Sequence, residues 1–232
     1  MKFFKNEQIF KNNDYFIFLP NSLRIEPLDY NLDINMEDIL FVEKQKKLIF
    51  KNTNNFLKMK DSNNILLWGA RGMGKSSLVK CVIKETNKNS KKKIKLIEIL
   101  SDSLKYLPEI IYELRSIKNN FILFIDDITF ESSNSEFRLF KSVLDGSILS
   151  NSKNIRFYVT SNLRHLSNKD TNLQVVDDLS KKEIYSNLIA LSDRFGFWIG
   201  FHENDKKKYL ETVIHYAKKN SLKNIEKLID EA

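Results

Sequence analysis

The sequence predicts an α/β fold, a five-stranded, largely parallel sheet between helices, and three observations predict it. Short, almost purely apolar runs recur along the chain, each followed by a stretch of helical periodicity. The runs lack an apolar–polar alternation, as expected of strands covered on both faces. Strands that alternate with helices in this way pair in parallel through right-handed crossovers.

Ile65-Leu66-Leu67-Trp68 is the first strand, and a helix follows near Lys75 to Glu85. Ile94 to Leu100 is the second. The helix after it, Leu104 to Ile117, sets Leu107, Ile110, Ile111 and Leu114 on one face. Phe121 to Ile125 is the third strand, after which Phe137, Phe140, Leu144 and Ile148 recur at helical spacing. Ile155 to Val159 and Phe195 to Phe201 complete the five. Ahead of this core, residues 1–60 carry Pro20 and Pro27 and no glycine, and end in an amphipathic helix with Leu48, Ile49, Phe56 and Leu57 on its apolar face. Two short helices, Lys206 to Lys219 and Ser221 to Ala232, close the chain. The expected organisation is an amino-terminal extension (1–60), a core (61–202) and a short helical end (203–232).

A chain of 232 residues with 42% apolar residues suffices for one sizeable α/β domain and a small appendage. No run reaches the ~20 apolar residues of a membrane span. Met1-Lys2-Phe3-Phe4-Lys5 leads into Asn6, Glu7 and Gln8 rather than the apolar block of a signal peptide. The single cysteine, Cys81, is expected as a buried thiol and fits a reducing, cytoplasmic setting. The net charge of +8 rests on 31 lysines and only seven arginines. Its densest runs, Lys88 to Lys95 and Lys206-Lys207-Lys208, read as solvated faces, with a modest tilt toward an acidic partner.

Gly69-Ala70-Arg71-Gly72-Met73-Gly74-Lys75-Ser76 matches G-x-x-x-x-G-K-[ST] directly after a strand and directly before a helix, the context that gives the motif meaning. The glycines let the backbone turn so that successive N–H groups converge on an anion. The following helix adds the positive end of its dipole. Lys75 is expected to reach the β- and γ-phosphates of ATP, Ser76 to coordinate Mg²⁺, and Ser77 to add one hydrogen bond. These nine residues form the expected nucleotide-binding set, with the Arg71 side chain turned toward solvent or a neighbouring subunit. The apolar strand Phe121 to Ile125 runs into Asp126-Asp127. A carboxylate at the end of a strand beside the phosphate loop holds the metal's water shell. Asp126 is therefore the metal-side candidate and Asp127 the candidate for polarising the attacking water, while an Asp-Asp pair also serves as a turn cap.

Taken in order, these residues resemble the AAA+ ATPases. More narrowly, the run Asn63 to Lys80, Phe121 to Asp127, Phe130-Glu131, Lys141 to Ser147, Thr160-Ser161-Asn162 with Arg164-His165-Leu166, and Leu191 to Gly196 are similar to the bacterial family known as domain of unknown function 815. The similarity runs unbroken over roughly residues 36 to 216. It implies a five-stranded AAA+ core with a small helical lid, working as an oligomer. It also implies a polar sensor at Asn162 and an arginine finger at Arg194, with Arg164 as the alternative and an ion pair to Asp193 as the structural reading. Two departures stand out. Most AAA+ proteins carry Asp-Glu where this chain has Asp126-Asp127, which leaves Glu131 as a substitute base. No arginine follows Arg194, so the lid offers no sensor arginine.

Three functional readings follow: an AAA+ protein that hydrolyses ATP slowly and acts on an oligomer or a macromolecular client; a nucleotide-dependent switch or scaffold with negligible turnover; and a P-loop kinase. The absence of an arginine-rich acceptor lid and the Asn162 and Arg194 pattern weigh against the kinase.

Overall fold

The computed structural model describes residues 3–4, 6–29, 33–88, 90–128, 135–144, 152–162 and 194–222, with 135–137 described by backbone alone. In chain order the elements are α1 (Ile9–Asn12), β1 (Tyr15–Leu19), β2 (Arg24–Pro27), α2 (Glu43–Leu57), β3 (Ile65–Gly69), α3 (Lys75–Lys88), β4 (Ile94–Ile99), α4 (Leu107–Leu114), β5 (Asn120–Ile125), α5 (Ser135–Leu144), β6 (Ile155–Ser161), β7 (Phe197–Phe201) and α6 (Lys206–Lys219). The expected second helix of the carboxyl-terminal end, and the residues near Ile148, lie mainly outside the described residues.

The strands form one sheet in the order β2-β1-β4-β5-β6-β3-β7. The five expected strands are β3 to β7, all parallel to their neighbours. The expected strand count is corrected from five to seven, because β1 adds in parallel to β4 and β2 pairs antiparallel with β1. The physical reason is legible in hindsight. Phe16 and Phe18 in β1 alternate inward and are buried. Pro27 sits at the end of edge strand β2, where a missing N–H breaks no ladder. The helix expected from Leu104 begins instead at Leu107, after a 3₁₀ turn over Ser101–Tyr106.

Both faces of the sheet are covered, and β5 shows how. Its burial is complete along its length. Phe121, Leu123 and Ile125 pack on one face with Phe10, Phe16, Leu107, Phe140 and Phe157. Ile122 and Phe124 point to the other, with Ile49, Phe56, Leu78, Val82 and Tyr158. Each such side chain contributes about 1.5–3 kcal/mol by leaving water. Helix α2 is fixed on its face by polar groups as well: Asn52 donates to the Tyr158 hydroxyl at 3.0 Å, and Thr53 Oγ lies 2.8 Å from it. Burial pushes the Tyr158 hydroxyl up to about 12, so it remains a neutral hydrogen-bonding group.

Because β3 to β7 run in parallel, their carboxyl ends gather at one pole of the sheet. There β3 passes between β6 and β7, and Gly69 ends it at φ 138°. A Cβ at Gly69 would lie 2.0 Å from the Phe201 carbonyl oxygen, so only glycine lets β7 approach this closely. Among the described residues no helix is long and apolar enough to cross a membrane.

Candidate functional site

The loop from Gly69 to Ser76 opens onto a cavity of about 380 Å³ at this pole. Gly72 and Gly74 adopt φ 77° and 79°, and no backbone hydrogen bond among the described residues uses the N–H groups of Gly72, Met73 or Gly74. Those donors face the concavity above the amino end of α3, as an anion site requires. Lys75 is buried and curls back over the loop. Its ammonium donates to the Gly69 and Ala70 carbonyls, both at 2.7 Å, and to Asn162 Oδ1 at 3.0 Å. Burial lowers the pKa of this ammonium; the charges of Asp127 and Asp126 pull it back up and Arg71 opposes them, with a net downward shift.

The Ser76 hydroxyl donates to Asp126 Oδ1 at 2.6 Å, so α3 and β5 bring together the two residues expected at the metal. Thr160, at the end of β6, donates to the same carboxylate oxygen and accepts the Asp127 N–H at 2.8 Å. Asp127 lies at φ 58°, a left-handed conformation that Asp tolerates better than most residues. Thr160 and the Asn162 amide, which donates to Asp127 Oδ1, hold it there. The Arg71 guanidinium leans over to Asp127 Oδ2 at 3.4 Å while remaining 79% exposed. An ion pair this open is worth ~0–1 kcal/mol and orients the carboxylate more than it stabilises the fold. Ser77 and Met73 also line the cavity.

The cavity thus gathers seven of the nine nucleotide-binding candidates, all but Gly69 and Ala70, whose carbonyls hold Lys75, together with Asp126, Asp127 and Asn162. Gly69 shapes the loop from beneath. Arg194 is elsewhere. It is exposed, its carbonyl accepts from Asn64 Nδ2 at 3.2 Å, and it precedes β7 at the amino pole of the sheet, away from the cavity of its own chain. Glu131, Arg164 and Asp193 lie outside the described residues.

Residues that the motifs do not announce complete the cavity: Asp38, Ile39 and Leu40 from the strap before α2, and Asn204, Thr212 and Tyr216 around α6. Ile39 reaches so close to Gly74 that a Cβ there would meet its Cγ2 at 2.8 Å. Asp38 is the hinge pin of this half. Its carboxylate accepts from Lys219 at 2.5 Å and the Asn35 N–H at 2.7 Å, and lies 3.3 Å from His215 Nε2. Burial would raise its pKa, but Lys219, the Asn35 N–H and His215 outweigh burial and hold it at about 2. Only the helical spacing of Thr212, His215, Tyr216 and Lys219 hints at this in the sequence.

The residues fit a magnesium–nucleotide. Loop N–H groups and Lys75 suit phosphate oxygens, and a hydroxyl beside one carboxylate suits Mg²⁺, which takes few protein ligands and completes its shell with phosphate and water.

Fold and loop together define an AAA+ type P-loop α/β protein. Orc1 of Aeropyrum pernix, solved in complex with DNA, superposes with a TM-score of 0.55 at 14% identity over 78% of this chain and 50% of that one. Cdc6p of Pyrobaculum aerophilum gives 0.51 at 12% identity over 81% and 52%. A chain of the HORMA:CdnC:Trip13 complex of E. coli MS115-1 gives 0.52 at 12% over 83% and 74%. At such identities the shared property is the fold, and this chain spans about half the length of the first two proteins. No curated protein matches the sequence. The chain belongs to the family described as "Protein of unknown function (DUF815)", which matches residues 11–232, a longer stretch than the one over which the motifs run.

Proposed function

We propose that the cavity binds ATP with magnesium, that the chain hydrolyses it slowly, and that the nucleotide state is passed to an oligomer or a macromolecular client. The observation that carries this reading is the Ser76–Asp126 hydrogen bond beside Lys75 and Asn162. One strand-to-helix loop and two neighbouring strand ends converge there on one end of the cavity.

In this reading, Lys75 releases the Gly69 and Ala70 carbonyls and turns toward the β- and γ-phosphates. Ser76 and Asp126 would hold Mg²⁺, which would supply positive charge beside the phosphate oxygens. Asn162 and Asp127 orient the attacking water, Asp127 from a carboxylate one methylene shorter than the usual glutamate. Ile39, Leu40, Thr212 and Tyr216 enclose the base. Arg194, at the opposite pole of the sheet from its own cavity, acts as the finger for a neighbouring subunit, where a guanidinium accelerates transfer by roughly 10³–10⁵ in the best cases. The core (61–202) is covered by the short helical lid (203–232), of which α6 is the described helix.

A switch with negligible turnover is favoured by a different observation: the Asp127 carboxylate is already engaged by Asn162 and Arg71. Single-turnover hydrolysis of pre-bound ATP separates the two. The ATPase reading expects wild type to outpace Asp127→Asn by at least about tenfold, as for loss of a general base, and Lys75→Ala to bind no ATP. Equal rates for wild type and Asp127→Asn leave the switch.

A further inference from the structure

The opposite pole of the sheet carries the lysine-rich run that the nucleotide site leaves unused. The segments that precede three adjacent parallel strands, β4, β5 and β6, lie side by side there. Together with Lys11 and Met59 they line a groove of about 1060 Å³. Eight of its lining residues are Lys or Arg and none is Asp or Glu. Two of the eight are occupied: Lys95 by Asp14 and the Asn13 carbonyl, both at 2.7 Å, and Lys93 by the Asn87 carbonyl. Lys11, Lys91, Lys92, Lys118 and Lys153 are exposed and form no ion pair among the described residues, and Arg115 lies over the Tyr112 ring.

These six cations come from four separate stretches of chain, and Lys91 and Lys92, with Lys93 and Lys95 beside them, form one wall of a concave site. Like charges gathered without counter-charges repel one another, and the arrangement is favourable only when an anion fills it. Five of the six are lysines, which bind phosphate as point charges. Beside the groove, the Arg115 guanidinium lies 4.5 Å from the centre of the Tyr112 ring, which is 60% exposed and lines a separate hollow with Glu109 and Glu113. A cation-backed aromatic face next to a basic groove is a platform for an unpaired base.

We propose that this groove binds the phosphodiester backbone of a single-stranded nucleic acid, without reading its sequence, about 20 Å from the nucleotide cavity across the six-residue strand β5. A single strand enters a concavity of this size and offers bases to Tyr112. A bilayer surface would meet only the rim, and an acidic peptide would leave the aromatic face unused.

The test is fluorescence anisotropy with a labelled oligothymidylate of roughly 25 nucleotides, without ATP, so that it stands apart from the nucleotide reading, over about 50–200 mM salt. Four to six phosphate contacts predict a log–log salt slope between about −3 and −4. Lys91→Gln, Lys92→Gln, Lys118→Gln and Lys153→Gln combined should weaken binding at least tenfold and flatten the slope by about two to three. Tyr112→Ala should weaken binding several-fold at unchanged slope. Lys206→Gln, Lys207→Gln and Lys208→Gln combined remove nearly as much exposed charge elsewhere and should change the affinity less than threefold. All substituted positions are exposed, and unchanged circular dichroism checks the fold. Equal losses in the groove and α6 variants overturn the proposal in favour of net charge alone. Binding of polyglutamate or anionic vesicles without binding of the oligonucleotide overturns it in favour of another partner.

Discussion

The two halves of the nucleotide cavity are built on different principles. The phosphate half comes from residues that directly end β3, β5 and β6, so the sheet's own register sets the positions of Lys75, Asp126, Thr160 and Asn162. The other half joins a strap at 33–40 to α6, more than 160 residues later, through one charged cluster, Asp38 with Lys219 and His215. The first half is as rigid as the sheet. The second is held by contacts that one substitution or a change of protonation can release. A rigid phosphate cradle under a separately latched cover is a physical basis for nucleotide state to alter shape without disturbing the core.

Breaking the latch is the sharpest way to separate the halves. Asp38→Asn removes the charge that Lys219 and His215 face while leaving the phosphate loop untouched. ATP affinity should fall by about tenfold, the ~1.4 kcal/mol of one strong charge-assisted contact. An unchanged dissociation constant in a titration would show that the cover contributes nothing to binding.

The same cluster sets a pH window. Asp38 has its pKa depressed from 3.8 to about 2, so its contribution is complete above the unfolded value and is lost as pH falls through the folded one. The shift corresponds to on the order of 2 kcal/mol. Closure of the cover should therefore persist at neutral pH and weaken between about pH 4 and pH 2, followed by Tyr216 fluorescence or proteolysis of the strap. Loss of closure already near pH 6 would assign the latch to another group.

The smallest expected effect reads the strap directly. Cys81 on α3 is buried, its thiol lies 3.2 Å from the Ile34 carbonyl, and burial pushes its pKa up to about 11. Iodoacetamide should modify it slowly in wild type and several-fold faster in Asp38→Asn. Equal rates would place the strap's anchoring outside the Asp38 cluster.

This contrast also explains what the sequence disclosed. Local, consecutive signals carried the core: the apolar runs of β3 to β7, the glycines at 69, 72 and 74, and the carboxylates after β5 all lie beside the features they build. Strands β1 and β2 are hard to read from sequence because prolines mark their flank and because pairing to β4 is a long-range fact. Ile39 and Asp38 leave no local signal for the same reason. The Asp38 ion cluster is joined across most of the chain, and only the helical spacing within α6 hints at it. The basic groove is a third case: its lysines were visible as a run, but only the sheet brings Lys11, Arg115, Lys118 and Lys153 to them. Asn162 was readable by family resemblance, while its bonds to Lys75 and Asp127 were not.

The central claim is that Ser76 and Asp126 hold a metal on a nucleotide seated in the Gly69–Ser76 loop. Calorimetric titration of ATP into wild type and Asp126→Asn, each with magnesium and with EDTA, tests it most directly. The account predicts that magnesium tightens ATP binding to wild type by at least about tenfold, roughly 1.4 kcal/mol, and that Asp126→Asn loses most of that gain while still binding ATP. Binding to wild type that is indifferent to magnesium, or a full magnesium effect in Asp126→Asn, would contradict it.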